Sequence, residues 1–151
     1  MLCIHDEDSM ESKKTIRYKM THHKMQVKGM DIKTGTEFLA TVSEDKNVAL
    51  VNLLSYRQEV IKCPNESPLQ LCLFLNPYDC LVASDNKGCL LFFAVYQYKD
   101  EASPFHTYLF SIDYKSFSIT KKEDKIPVTA MGFYSKLNYL VLGDDFGNVQ
   151  I

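Results

Sequence analysis

Short apolar runs, each closed by turn-forming residues, recur along the whole chain. The breaks fall at Lys33-Thr34-Gly35, Glu44-Asp45-Lys46-Asn47, Asn76-Pro77-Tyr78-Asp79, Asp85-Asn86-Lys87-Gly88 and Asp144-Asp145-Phe146-Gly147. Val, Ile, Leu, Phe and Tyr in runs this short favour strands, and Gly, Pro, Asn and Asp between them favour turns. Runs 69–75 and 90–95 are apolar almost without interruption, so their sheets are expected to be covered on both faces. Three antiparallel hairpins are predicted: 38–43 with 48–53, 80–84 with 89–95, and 139–142 with 148–151. Asp and Gly in the second and third turns supply a side-chain cap and a positive φ, and Asn47 is expected to tolerate the left-handed conformation in the first. The predicted class is all-β.

The runs repeat. Laying 67–92 over 126–151, a shift of 59, matches Pro68 with Pro127, Phe74 with Phe133 and Leu81 with Leu140. It also matches Val82 with Val141, Asp85 with Asp144 and Gly88 with Gly147. A third copy lies upstream at a shift of 42, with Val27, Met30, Ile32, Leu39 and Val48 falling on Leu69, Cys72, Phe74, Leu81 and Leu90. A period of this length fits a four-stranded propeller blade of about 40–45 residues. The extra 17 residues of the longer interval fall in segment 96–125.

His23-x-x-x-Val27 followed by Met30 and Ile32, then the run from Leu39 to Leu50 through Ser43-Glu44-Asp45, resembles a WD repeat from its histidine to its third strand. The resemblance covers about residues 14–151 and implies a partial WD-repeat β-propeller. Copies lie near 23–62, 67–120 and 126–151, behind an acidic N-terminal segment, 1–13. It implies two near-complete blades and two partial ones, with Thr15 to Met20 as the outer strand of a preceding blade. It also implies a hydrogen-bonded network of His23, Ser43 and Asp45. The later copies depart from the pattern. Asn65 and Asp124 replace the histidine, no tryptophan occurs, and only the turns carrying Asp85, Gly88, Asp144 and Gly147 remain. More narrowly, Pro77-Tyr78, Ser84-Asp85-x-x-Gly88, Pro127-Val128-Thr129-Ala130-Met131 and Gly143-Asp144-Asp145-x-Gly147 resemble the large WD-repeat proteins of motile cilia and flagella, some of which carry an EF-hand. No EF-hand loop occurs in these residues.

Composition agrees with a soluble domain: 151 residues, 46% hydrophobic and 24% charged. A net charge of −2 gives no footprint for nucleic acid or an anionic membrane. The N-terminus has no secretory pattern, so a cytoplasmic location is expected. Five cysteines occur without a Cys-x-x-Cys pair, and Cys72, Cys80 and Cys89 are expected to act as small buried apolar residues in strands.

Several motifs invite chemical readings that their context does not support. Asp145-Phe146-Gly147 spells a kinase metal motif, but no glycine-rich loop, strand lysine or catalytic loop accompanies it. His22 and His23, if on a strand, point to opposite faces and are poorly placed to share an ion. Asn65-Glu66-Ser67 is an acceptor pattern without a secretory signal. No Ser/His/Asp constellation or phosphate-cradling loop can be assembled. No catalytic residue, metal or cofactor is therefore expected. The expected function is a non-enzymatic scaffold in the axoneme; the alternative is a soluble adaptor that binds peptides or recruits substrates. Partners would be other proteins. Segment 96–125, with Tyr96, Tyr98, Phe105 and Tyr108, is expected to leave the blade outline and form an interface.

Overall fold

Apolar runs separated by tight turns pair with their neighbours in sequence, giving consecutive antiparallel meanders. The structure, a computed structural model, describes residues 2–4, 15–96, 106–116 and 125–151. The first sheet runs β3 (Val27–Ile32), β4 (Phe38–Ser43), β5 (Asn47–Asn52), β6 (Gln58–Lys62), in that order. The second repeats it with β7 (Leu69–Phe74), β8 (Cys80–Asp85), β9 (Cys89–Val95) and β10 (His106–Asp113). The third has β11 (Val128–Tyr134), β12 (Tyr139–Asp144) and β13 (Val149–Gln150). A separate two-stranded sheet joins β1 (Leu2–Ile4) to β2 (Thr15–Tyr18). The described residues contain no α-helix, so no helix there can cross a membrane.

All three predicted hairpins are present, as β4–β5, β8–β9 and β12–β13. The copies also agree in an irregularity. The pairing of the first strand with the second shifts register at Val27/Gly29, at Leu69/Leu71 and at Val128/Ala130. These are the same positions under the 42- and 59-residue shifts. An extra residue there re-aims every side chain that follows it.

Sheets stack through their first strands, β3 against β7 and β7 against β11. Ala40, Val42, Leu50 and Phe38 from the first sheet meet Leu69, Phe74, Leu81 and Phe93 from the second in one buried cluster. A second cluster joins Leu90 and Tyr114 to Ile126, Val128 and Leu142 of the third sheet. Each fully buried Leu or Phe contributes about 1.5–3 kcal/mol of transfer free energy, so these two layers dominate the attraction between sheets. Polar ties add direction. The backbone N–H of Phe74 donates to Asp31 Oδ2 at 2.7 Å, and the Lys33 ammonium pairs with Asp79.

Within the acidic segment 1–13, Leu2–Ile4 forms a strand that pairs antiparallel with Thr15–Tyr18. One expectation needs correction. Segment 96–125 does not leave the sheet as a whole. Its residues His106–Asp113 form the fourth strand of the second sheet, hydrogen-bonded along β9, and a 3₁₀ turn at Tyr114–Ser116 follows.

Candidate functional site

The second strand of each sheet ends in a four-residue turn that feeds the third. Lys46 N–H donates to Ser43 O at 3.2 Å, Gly88 N–H to Asp85 O at 3.3 Å and Gly147 N–H to Asp144 O at 3.2 Å. The last residue of each turn takes a positive φ: 70° at Lys46, 90° at Gly88 and 82° at Gly147. In the first turn the left-handed residue is Lys46, not Asn47. Positional equivalence therefore runs from Ser43 to Asp85 to Asp144. A side-chain oxygen at that position accepts the N–H two residues on in all three: Ser43 Oγ from Asp45, Asp85 Oδ1 from Lys87, Asp144 Oδ1 from Phe146. Such caps hold the backbone in the turn conformation and favour Ser and Asp there.

Around the first turn lies the histidine network. His23 Nδ1 lies 3.1 Å from Asp45 Oδ2, and both side chains are about 95% removed from solvent, at 4% and 5% exposure. The backbone N–H groups of Lys24 and Asn47 also donate to the Asp45 carboxylate, at 2.8 and 3.1 Å. Burial alone would raise the Asp45 pKa. The donors from Lys24, His23 and Asn47 outweigh it and hold the carboxyl below its ordinary value. The other ring nitrogen of His23 meets Thr41 Oγ1 at 2.8 Å.

Ser43 does not bond the histidine; its hydroxyl is used by the turn, and Thr41 takes the place that the resemblance gave it. Thr41 and Ser43 are two residues apart on β4, so their side chains share a face. Both fit a Ser/Thr on the second strand. Only the hydrogen bonds separate them.

His22 was expected to point away from His23. Neither lies on a strand, and the two rings meet edge to face with centroids 4.6 Å apart. His22 Nε2 reaches the same Thr41 hydroxyl at 3.1 Å, and Nδ1 lies 3.3 Å from Gln58 Oε1. Burial and then the neighbouring His23 lower the His22 pKa. Each nitrogen of both rings is thus within hydrogen-bond distance of a protein side chain, and the described residues hold no group of three or more His, Cys, Asp or Glu arranged for a metal.

The third turn is held differently. Asp144 Oδ1 accepts the backbone N–H of Asn148, and Oδ2 accepts the Asn148 side chain at 3.0 Å and the Tyr114 hydroxyl at 3.3 Å. Burial opposes ionisation of Asp144, but these donors together lower its pKa. Burial and the facing carboxylate raise that of Tyr114. Tyr114 follows the last strand of one sheet and reaches the turn of the next. No local pattern in the sequence signals it.

Tyr96 follows β9 and is half-exposed, and Tyr108 lies on β10 with its ring edge-on to Phe93 at 5.7 Å. Tyr98 and Phe105 lie outside the described residues. A double-mutant cycle separates the two strand hydroxyls. Thr41→Val with His23→Ala is expected to show a coupling of about 1 kcal/mol in urea unfolding, and Ser43→Ala with His23→Ala a coupling near zero. Equal couplings would return Ser43 to the network.

No protein-family model matches the chain. A comparison with curated proteins also finds no match.

Proposed function

We propose that the chain supplies consecutive blades of a WD-type β-propeller and acts as a non-enzymatic scaffold holding protein partners in the axoneme of a motile cilium or flagellum. One observation supports the blade assignment above the rest. Equivalent positions are covered to different degrees in the three sheets, with Met131 and Phe133 of the third partly buried. Cys72 and Phe74 are 8% and 1% exposed under the first sheet, while their equivalents Met30 and Ile32 are 62% and 49% exposed. Another sheet of the same kind ahead of β3 would cover them, as neighbours do in a ring of typically about four to eight blades. Exposed apolar side chains on the edge strand β10, Tyr108, Leu109, Phe110 and Ile112, give partners a surface to bind.

A propeller fold does not by itself choose a function. The axonemal placement draws on the resemblance of the Pro77-Tyr78 and Gly143-Asp144-Asp145-x-Gly147 motifs to ciliary WD-repeat proteins. The test is extraction of isolated axonemes with high salt. The protein is expected to remain with the axoneme. Recovery only in a soluble complex would replace that placement with the adaptor role.

A further inference from the structure

The outer edges of the three sheets are not alike. In the first, β6 carries Gln58, Glu59 and Lys62 among its five residues, and in the third β13 is two residues long. Charge and shortness are common ways of keeping an exposed edge from pairing with another chain. The second sheet ends instead in β10, eight residues long and without Lys, Arg or Pro. No described strand pairs with its outer edge, and Tyr108, Leu109, Phe110 and Ile112 on it are 37–49% exposed.

A β-bulge decides which residues of this edge can face a partner. Tyr108 pairs with Phe93 and Phe110 with Phe92, so Leu109 has no partner on β9. One extra residue reverses the alternation of faces beyond it. His106 and Tyr108 before the bulge therefore share a face with Ser111 and Asp113 after it. Thr107 shares the opposite face with Phe110 and Ile112.

In a two-fold antiparallel pair the axis stands perpendicular to the sheet, so facing residues must come from the same face. β10 meets that condition about an axis between Leu109 and Phe110. His106 then faces Asp113, Thr107 faces Ile112 and Tyr108 faces Ser111, each pair occurring twice. Centred on Leu109 instead, His106 would meet Ile112 across opposite faces. In the allowed register the one carboxylate of the strand falls opposite its one imidazole, and no like charges meet. Both ends already have contacts within the chain, His106 Nδ1 with Glu59 Oε2 at 3.0 Å and Asp113 Oδ1 with the Lys115 N–H at 3.0 Å. Their part in the pairing is to avoid repulsion, while backbone hydrogen bonds hold the strands together. A bulge commonly turns an edge away from pairing. This one brings the two halves of the strand into register with each other.

We propose that β10 pairs antiparallel with β10 of a second copy of this chain, joining two four-stranded sheets into one about a two-fold axis. Such an interface is self-complementary, each residue and its opposite number trading places across the axis. The proposal names the partner for the β10 surface of the scaffold reading, but it rests on the register of the strand, so the two can fail separately.

Sedimentation velocity of the 151-residue chain over a concentration series is expected to show a monomer–dimer equilibrium. Ser111→Lys adds an ammonium to the edge at two symmetric places and should weaken the dimer about tenfold or more, with the far-UV circular dichroism unchanged. Cross-linking reads the register. Thr107→Cys with Ile112→Cys sets thiols opposite each other, and Tyr108→Cys with Ser111→Cys does so one step nearer the axis. Facing residues alternate between close and wide pairs along an antiparallel ladder, so one of these double variants has the spacing that a disulfide needs. It should give a covalent dimer on mild oxidation, while the single variants and the wild type do not. A chain that stays monomeric throughout, or cross-linking no greater in the double variants than in the single ones, would overturn the proposal. So would a dimer that survives Ser111→Lys but is lost in Met30→Lys, which would place the contact on the first sheet. A β10 dimer without axonemal retention would leave the pairing standing and remove the axonemal placement.

Discussion

Replacing Gly88 with alanine is expected to cost about 2–5 kcal/mol, while the same change at Gly147 costs about 1–2 kcal/mol. Both glycines hold a strongly positive φ, 90° and 82°, and an L side chain pays a steric cost of about 1–2 kcal/mol in that region. What differs is the space. A Cβ on Gly88 would come to 2.2 Å from the carbonyl oxygen of Ile126, whereas one on Gly147 meets nothing within 4 Å. Ile126 is buried and leads into β11, so relieving the contact means moving the third sheet away from the second. Forced shifts of this kind in packed interiors add about 1–3 kcal/mol. The pair of variants therefore separates the conformational cost from the packing cost. Urea unfolding of both should show a difference of at least about 1 kcal/mol; equal losses would mean that the Gly88–Ile126 approach is looser than the structure has it.

That approach also marks what the sequence conceals. The hairpins were legible because the turn residues Ser84 to Gly88 and Gly143 to Gly147 sit between apolar runs, and the repeat fixed their register. The register shifts near Val27, Leu69 and Val128 were not. A bulge adds one residue without changing composition, and it breaks the period-two alternation from which faces are inferred. In the first turn no glycine marks the left-handed position, so Asn47 drew attention by its preference while the backbone placed Lys46 there. The histidine network was half legible. His23 and Asp45 meet, but two hydroxyls on one strand face could serve, and the one at the strand end is taken by its own turn. Tyr114 was out of reach altogether. Its contact with Asp144 joins two sheets and depends on how they stack, which no periodicity within one strand encodes. Aligning Asp85 with Asp144 by sequence was correct, yet it hid the difference that matters between them. Asn148 donates both its backbone N–H and its side-chain amide to Asp144, whereas Cys89, 59 residues earlier, donates its backbone N–H to Asp85.

Asp45→Ala is expected to destabilise the protein by about 3 kcal/mol at pH 7, through loss of a buried charged acceptor and not through lost volume. The carboxylate takes the His23 ring and the backbone N–H groups of Lys24 and Asn47; alanine leaves the ring buried opposite nothing. Removing one member of such a buried pair typically costs about 3–5 kcal/mol, and the nearness of the site to the surface places this one at the lower end. The pH dependence identifies the cause. Because the folded pKa of Asp45 lies below its unfolded value, the unfolded chain binds more protons between the two. The stability contributed by the carboxylate is therefore complete above the unfolded value of about 3.9 and is lost as pH falls through the folded one. The gap between wild type and Asp45→Ala should be full at pH 7 and pH 5 and should shrink below pH 4. His22 acts earlier and with the same sign. Its lowered folded pKa makes the wild type lose stability as pH falls through about 6.5, and that step should persist in the variant. Urea midpoints measured from pH 7 to pH 3 would separate the two steps. If the two proteins lose stability in parallel below pH 4, the Asp45 carboxylate is not held ionised by its donors and the network is packing alone.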